Sequence, residues 1–490
     1  MKVALAGGRQ LAPSHWILIA LVVSFVLTTA VELSTVFPVV ALVVSGVVSV
    51  FFLARLNSQT LAILVVLSTF LTRLVLPING YSLRPEHVMT AVVLVHVALA
   101  GNTLRTRSLE WRPVATMVAG LVCYIVWAVT VTLLYAPSPR TSSTILVWFA
   151  LDAVLLYGLT RLDVALTVML RWGVIAAAVN CFLAIFVWAL ASTGGPQVMV
   201  QVDSSYGGFA AYNGTLEANI LASLVACWAI IGLSVPKGVA PRWAVRSCAV
   251  LAPVVALVTH TRTALLAYLL GLMVLSLSRR GIVRGRARWA VVGGGFLAVV
   301  LVSSGVSGSN ELAYKFSHLF SGNVANFSGN VANSDLRVLA ARTAISDLGG
   351  GSYWFGLGTN SYGQRHLDPS RPDLNIASYL GNLPLQLVYD TGVIGVALLL
   401  LSLVFARRGR HRWPGTIPLA VTYGVTSIST SYFWFAATWL FVVIAVSTEF
   451  ASVYDEHDVP YTVVPRLACT SGQRRVCRPA RRLPIGGRHG

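Results

Sequence analysis

Apolar stretches of membrane-spanning length constrain this chain more than any other feature of its sequence. About fourteen mostly apolar runs, between His15 and Phe450, approach or reach the 17–25 residues that cross a bilayer as a helix. The chain is 56% hydrophobic and only 11% charged, which excludes the soluble globular class. The sequence therefore predicts an all-α, polytopic integral membrane protein with about 12–14 transmembrane helices.

A large polar interruption divides these apolar runs. Residues 1–306 hold the first eleven predicted membrane helices, and residues 307–382 form one large loop that contains short helices. Residues 383–450 hold the last three predicted membrane helices, and residues 451–490 form a basic tail. One run, Thr60 to Leu76, is long enough to be predicted as a single membrane helix.

The distribution of basic residues predicts how the chain is oriented in the membrane. The formal net charge is +19, and 27 of the 36 Lys and Arg residues fall in segments that share one side of the membrane. Because short cytoplasmic segments are enriched in Lys and Arg, both termini are predicted in the cytoplasm and the loop 307–382 outside. The arginines of the tail predict an anchor to anionic lipid head groups. Nucleic-acid binding is not expected, since the tail has neither a folded module nor interleaved aromatic residues.

Two arginines lie at predicted helix starts, where stability does not explain them. Arg262 begins a helix after a tight turn, and Arg337 lies in the first turn of a helix whose predicted N-cap is Ser334. A cation at a helix amino terminus opposes the helix dipole. The unpaired N–H groups of that terminus and the arginine would instead act together on an anion such as a phosphate. For Arg262, a membrane-snorkelling anchor is the alternative interpretation.

Polar and glycine-rich segments follow Arg337 and lead back into the membrane. The turn with Gly356 and Gly358 allows close backbone approach, and Arg365 and His366 follow it in a polar stretch. Asp390 is predicted about 10 Å down the next membrane helix, at 1.5 Å per residue. A carboxylate at that depth requires a partner, and an arginine of the loop is the expected one.

Other ionisable residues lie in the first half of the chain. Asp152 falls inside a predicted membrane helix, where a carboxylate requires a partner that the sequence does not identify. A cluster on the outer side is also predicted, formed by Arg73, Tyr81, Arg84, Glu86 and His87. It is either part of a substrate cleft or an ordinary set of loop residues.

Metal and redox chemistry have no signature in this sequence. The six cysteines lie in or beside predicted membrane segments or in the tail, and none of their spacings is typical of a disulfide framework or a zinc site. The large loop lacks a clustered set of carboxylates. We therefore expect no metal and no cofactor.

Several motifs between residues 259 and 406 are similar to those of a known family. THTRTALLA contains Arg262, DLRVLAARTAI contains Arg337, and FGLGTNSYG contains Gly356 and Gly358. Together they resemble the bacterial O-antigen ligase and O-antigen polymerase family of integral membrane glycosyltransferases. The family signature is a histidine, then Asn, Ser or Gln, nine free residues, a glycine, two more residues and a final Gly, Thr or Tyr.

This chain matches the signature at all positions but one. Asn382, Gly392 and Gly395 fall in register, and Asp390 corresponds to the acidic residue often found before the first glycine. Gly381 stands where the family has its histidine. Because glycine has no side chain to accept a proton, the role of the family's base does not transfer to this position.

The resemblance implies a polyprenyl-diphosphate-linked glycan donor at the outer face of the bacterial cytoplasmic membrane. It also implies a glycan or lipid-glycan acceptor, whose hydroxyl attacks the anomeric carbon with inversion. The expected diphosphate-binding residues are Arg262, Arg337 and Arg365. The candidate bases, in order of preference, are His366, Asp390, Asp368 and Asp373. The choice between ligase and polymerase stays open.

The alternative function is a transporter, either a flippase or an exporter, of a lipid-linked or anionic envelope precursor. Such a protein would also need many helices and buried charge, and often shows two similar halves or helices broken at mid-membrane. The sequence has no internal repeat on the scale of half the chain, and its distinctive residues are predicted at one face. These observations favour the enzyme.

Overall fold

The computed structural model describes residues 49–78, 81–100, 112–162, 166–203, 208–277, 333–366, 380–406, 413–428 and 430–446. The predictions for the first apolar run, for much of the large loop and for the basic tail lie outside these residues. Within them the chain is mostly helical. The predicted all-α, polytopic membrane class is confirmed.

Eight of the described helices lie between Ser58 and Leu277. They are α1 (Ser58–Ser68), α2 (Pro85–Ala100), α3 (Arg112–Tyr135), α4 (Pro139–Arg161), α5 (Leu166–Ser192), α6 (Ala218–Ser234), α7 (Arg242–Val258) and α8 (Arg262–Leu277). The remaining helices are α9 (Asn333–Asp347), α10 (Ser352–Phe355), α11 (Ser361–His366), α12 (Leu383–Ala406), α13 (Thr416–Ser427) and α14 (Ala436–Val446).

Two short antiparallel hairpins interrupt the helices. In the first, β1 (Leu76–Ile78) pairs with β2 (Tyr81–Leu83). In the second, β3 (Val200–Asp203) pairs with β4 (Gly208–Ala211).

Four of these helices are long and apolar enough to cross a membrane. They are α3 from Thr116 onward, α4, α5 and α12. Five shorter apolar helices, α1, α2, α6, α8 and α14, accompany them in the part of the chain that the structure describes. The predicted total of 12–14 spans stays a prediction, since the count includes runs outside that part.

The single helix predicted from Thr60 to Leu76 is wrong in its second half. Helix α1 ends at Ser68, and the chain turns before entering the β1–β2 hairpin. The Ser68 hydroxyl donates to the Val65 carbonyl and the Thr69 hydroxyl donates to the Val66 carbonyl, each at 2.7 Å. These bonds compete with helical hydrogen bonding, which hydropathy alone does not register.

Most of the helices pack around one large apolar core, and two smaller clusters of buried apolar residues are separate from it. Large fully buried side chains such as Trp228 and Trp439 lie within the large core. Helix α12 packs mainly against α3, and α8 packs mainly against α13. At the α3–α12 crossing, a side chain added at Gly120 would collide with Ser402, so two small residues allow the backbones to approach. The short α10 packs on α12, and this contact positions the site.

Candidate functional site

The candidate site is organised by a break in the backbone of α12. Gly392 has φ 66° and ψ −179°, which is not helical. Three carbonyl groups beside the break accept hydrogen bonds from outside the helix. The Tyr389 carbonyl accepts from the Leu357 N–H (2.7 Å), and the Asp390 carbonyl accepts from the Gly358 N–H (3.1 Å). The Thr391 carbonyl accepts from the indole N–H of Trp127 (2.8 Å). The turn between α10 and α11 is therefore fixed to the broken helix through its backbone.

Two glycines make this contact possible. Gly356 has φ 86° and ψ −179°, close to the values of Gly392, in a region that only glycine adopts readily. A Cβ on Gly356 would lie 2.6 Å from the Gly392 nitrogen, and a Cβ on Gly392 would lie 2.6 Å from the Gly356 nitrogen. Both residues were predicted as motif glycines, and they are packed backbone against backbone.

The other two motif glycines are also tightly surrounded. Gly358 has φ 100°, and a Cβ there would lie 2.8 Å from the Ala136 Cβ, just after α3. A Cβ on Gly395 would collide with the Thr391 side chain and would lie 3.1 Å from the Trp127 ring. The glycines predicted from the motif therefore form the junction of α3, the α10–α11 turn and α12.

Asn382 caps the amino end of α12. Its Oδ1 accepts the Leu385 N–H at 3.1 Å, and its carbonyl accepts the Gln386 N–H at 2.9 Å. Asn is among the preferred N-cap residues because its side chain satisfies a free N–H group of the first turn. The motif position is accounted for by helix capping.

Asp390 is buried and lies two residues before the break. Its Oδ2 accepts a long hydrogen bond of 3.4 Å from the Gln386 amide, rather than the predicted contact from an arginine. Among the described residues its Oδ1 has no hydrogen-bond partner, and neither does the Thr359 hydroxyl. Both residues line a small cavity whose walls include Tyr124 and Phe433.

His366 ends α11 and contacts one residue of another helix, Asp347. Its Nε2 lies 2.6 Å from Oδ2 of Asp347, the last residue of α9, and the Tyr389 hydroxyl donates to the same oxygen at 2.7 Å. The His366 ring packs on the Tyr362 ring, with centroids 4.8 Å apart. Burial, and next the charge of Asp347, raise the pKa of Tyr362 above its ordinary value. A histidine predicted from a loop thus lies at the end of a helix, and Asp347 connects it to α9.

Asp347 was not predicted as a site residue. The signal for it is its position, because a carboxylate at the carboxyl end of a helix opposes the helix dipole. Helix α9 ends at this residue. The contacts with His366 and Tyr389 give a reason for a carboxylate here that helix stability does not.

The three predicted diphosphate-binding arginines are differently placed. Arg365 adjoins His366, and its guanidinium donates to the Tyr135 carbonyl at the end of α3 (2.7 Å). Arg262 begins α8, which packs mainly on α6, α7 and α13, whereas His366 ends α11, which packs on α12. Arg337 falls on α9, and its side chain lies outside those described.

Three members of the predicted outer cluster are buried, so they are not the ordinary exposed loop residues that were one of the two alternatives. Arg84, Glu86 and His87 are at most 4% exposed. Nη1 of Arg84 lies 3.7 Å from Oε1 of Glu86, and the guanidinium stacks between Trp148 and Phe435. Oε2 of Glu86 accepts the first N–H of α14, from Ala436, at 3.2 Å.

Two other ionisable residues noted in the first half of the chain are Asp152 and Arg73. Asp152 is buried on α4, and neither of its carboxylate oxygens has a hydrogen-bond partner among the described residues. Arg73 is separate from the Arg84–Glu86 pair, because its guanidinium stacks on the Tyr212 ring at 3.8 Å.

Comparison with known families supports the importance of this region. Residues 247–400 match the family model described as O-antigen ligase. The matched stretch includes every residue predicted for the site, from Arg262 to Gly395. A comparison of the chain with curated proteins gives no match.

Proposed function

Because the chain belongs to the O-antigen ligase and polymerase family, we propose that it transfers or polymerises a glycan from a polyprenyl diphosphate donor. The apolar helices and the family together indicate an integral protein of the bacterial inner membrane. One observation carries the proposal: within the matched stretch, motif residues far apart in sequence meet at the break in α12. The product would be a cell-surface polysaccharide or a glycan attached to a lipid-glycan acceptor.

The proposed reaction is a single displacement at the anomeric carbon. The acceptor oxygen forms a bond to that carbon, the bond to the diphosphate oxygen breaks, and its electron pair leaves with the lipid diphosphate. Attack opposite the leaving group inverts the anomeric configuration. The leaving group gains negative charge in this step, and preorganised cations stabilise such charge. Arg262, Arg337 and Arg365 would supply them without a metal ion.

Two residues of the site are candidates for the base that accepts the proton of the acceptor hydroxyl. His366 is 31% exposed at its side chain, so a substrate can reach it. Asp390 is 4% exposed and lines a cavity with little free space. The exposure difference favours His366. The other two candidates, Asp368 and Asp373, lie outside the described residues.

A turnover assay tests the proposed activity. The purified full chain is incubated with a radiolabelled polyprenyl-diphosphate-linked oligosaccharide and an acceptor, and the products are separated by size. A longer glycan or a new acceptor conjugate, formed equally with and without a chelator, is expected. In sealed vesicles, movement of the donor across the bilayer without any new glycosidic bond would identify the transporter instead.

The outer location of the site is a separate part of the proposal. In a cysteine-free background, a cysteine replacing Ser328 or Ser370 should react with a membrane-impermeant maleimide in intact cells. A cysteine replacing Arg408 should react only after the cells are opened. The reverse pattern would place the site on the cytoplasmic side and contradict the positive-inside argument.

A further inference from the structure

The carboxylate of Asp347 receives two contacts on one oxygen. His366 Nε2 lies 2.6 Å from Oδ2 and the Tyr389 hydroxyl 2.7 Å from it. The Asp347 side chain is 24% exposed. An ionised carboxylate only accepts hydrogen bonds, so both partners must be donors. The Nε2 atom of His366 therefore carries a hydrogen.

This assignment determines the state of the other ring nitrogen. In neutral imidazole one nitrogen is a donor and the other an acceptor. With the hydrogen on Nε2, Nδ1 has a free lone pair. Among the described residues no hydrogen-bond partner is found for Nδ1. Tyr362 packs on the ring and restricts its rotation.

We propose that Asp347 is a positioning residue that holds His366 in the Nε2–H tautomer, so that Nδ1 accepts the proton of the acceptor hydroxyl. This inference rests on the proposed function. The hydroxyl oxygen bonds to the anomeric carbon as its proton passes to Nδ1, and the diphosphate leaves with the electron pair of the broken bond. The positive charge formed on the imidazole ring is stabilised by the Asp347 carboxylate.

The charged and titratable groups around His366 come from three helices. Asp347 is on α9, Tyr362 and Arg365 are on α11 itself, and Tyr389 and Asp390 are on α12. Of these, the side chain of Asp347 forms the short contact to a ring nitrogen. Asp390 points elsewhere, since its carboxylate lines the cavity and contacts Gln386.

A structural role is the competing explanation. An exposed ion pair between α9 and α11 would contribute about 0–1 kcal/mol to stability and nothing to turnover. The two roles differ in their dependence on His366. A positioning residue has no effect on chemistry once the group that it positions is gone, whereas a structural contact between helices would still affect stability.

The test is a double-mutant cycle in the turnover assay, with thermal unfolding measured on every variant. Asp347→Ala is expected to lower kcat by at least about tenfold, part of the ~10²–10⁴ that a general base supplies. The KM for the donor should stay within about twofold of the wild-type value, since Asp347 is not proposed to bind the donor. Asp347→Glu should restore part of kcat. In the His366→Ala background, Asp347→Ala should change kcat no further.

Two more variants keep the test decisive. Asp347→Asn keeps the shape of the side chain, but its amide can accept or donate and therefore does not require a hydrogen on Nε2 of His366. We expect this variant to have a lower kcat and the same thermal unfolding as the wild type. Arg342→Ala, exposed on the same helix, is the control and should behave as the wild type.

Equal loss of kcat from Asp347→Ala with and without His366 would overturn the inference, as would full activity of Asp347→Asn. If the wild type shows no glycosyl transfer, the proposed function fails instead, so the two failures are distinguishable.

Discussion

Replacing Gly392 by alanine tests the geometry of the site most directly. At φ 66° and ψ −179°, a residue with a side chain is strained by about 1–3 kcal/mol. The added Cβ would also lie 2.6 Å from the Gly356 nitrogen and would collide with the Trp354 carbonyl oxygen. Such overpacking typically costs about 1–3 kcal/mol more. The expected loss of unfolding free energy is thus about 2–6 kcal/mol.

The structure can relieve this collision in one main way. If the α10–α11 turn moves away from α12, the N–H groups of Leu357 and Gly358 lose their carbonyl partners at 2.7 and 3.1 Å. The same movement would displace His366 from Asp347. Gly392→Ala should therefore lower glycosyl transfer together with stability. Thermal unfolding followed by circular dichroism in detergent, and the turnover assay, measure the two effects.

Gly424 provides a matched control. It lies within α13, and no atom would come within 4 Å of an added Cβ. Gly424→Ala is expected to be neutral or stabilising by up to about 1 kcal/mol, because glycine is a poor helix former. If Gly392→Ala unfolds and turns over like Gly424→Ala, the close backbone contact does not hold the site together and the reasoning is refuted.

Three further predictions follow from other contacts. Arg84→Ala should lower the unfolding free energy by about 3–5 kcal/mol in denaturant titration, because Glu86 stays buried without its cation. The double variant Arg84→Met with Glu86→Gln should recover most of this lost stability. Asn382→Ala should cost about 1 kcal/mol in thermal unfolding through the lost N-cap. Arg262→Ala or Arg337→Ala should cost roughly 2 kcal/mol or more of transition-state stabilisation, measured as a decrease in kcat/KM. Lys at either position should restore only part of that loss. Normal turnover of the double Ala variant would contradict the last prediction.

The sequence by itself determined the fold class and the principal residues of the break in α12. Apolar runs of membrane length specify helices because a bilayer offers no other partner for backbone groups. Helix α12 spans Leu383–Ala406, inside the region 383–450 that was predicted to hold the last membrane helices. The match to the family signature marked Asn382, Gly392 and Gly395, which form a cap, a break and a tight contact. Of these, the cap is a local property, because its hydrogen bond joins residues three apart.

Only the tertiary structure decided which side chains meet. Asp347 and His366 are 19 residues apart, and Asp347 and Tyr389 are 42 apart, so no periodicity links them. Arg84 and Glu86 look like loop residues in sequence, but they are buried because α4 and α14 pack over the start of α2. Burial and long-range hydrogen bonds depend on the packing of several helices at once, and no single segment of the sequence records that packing.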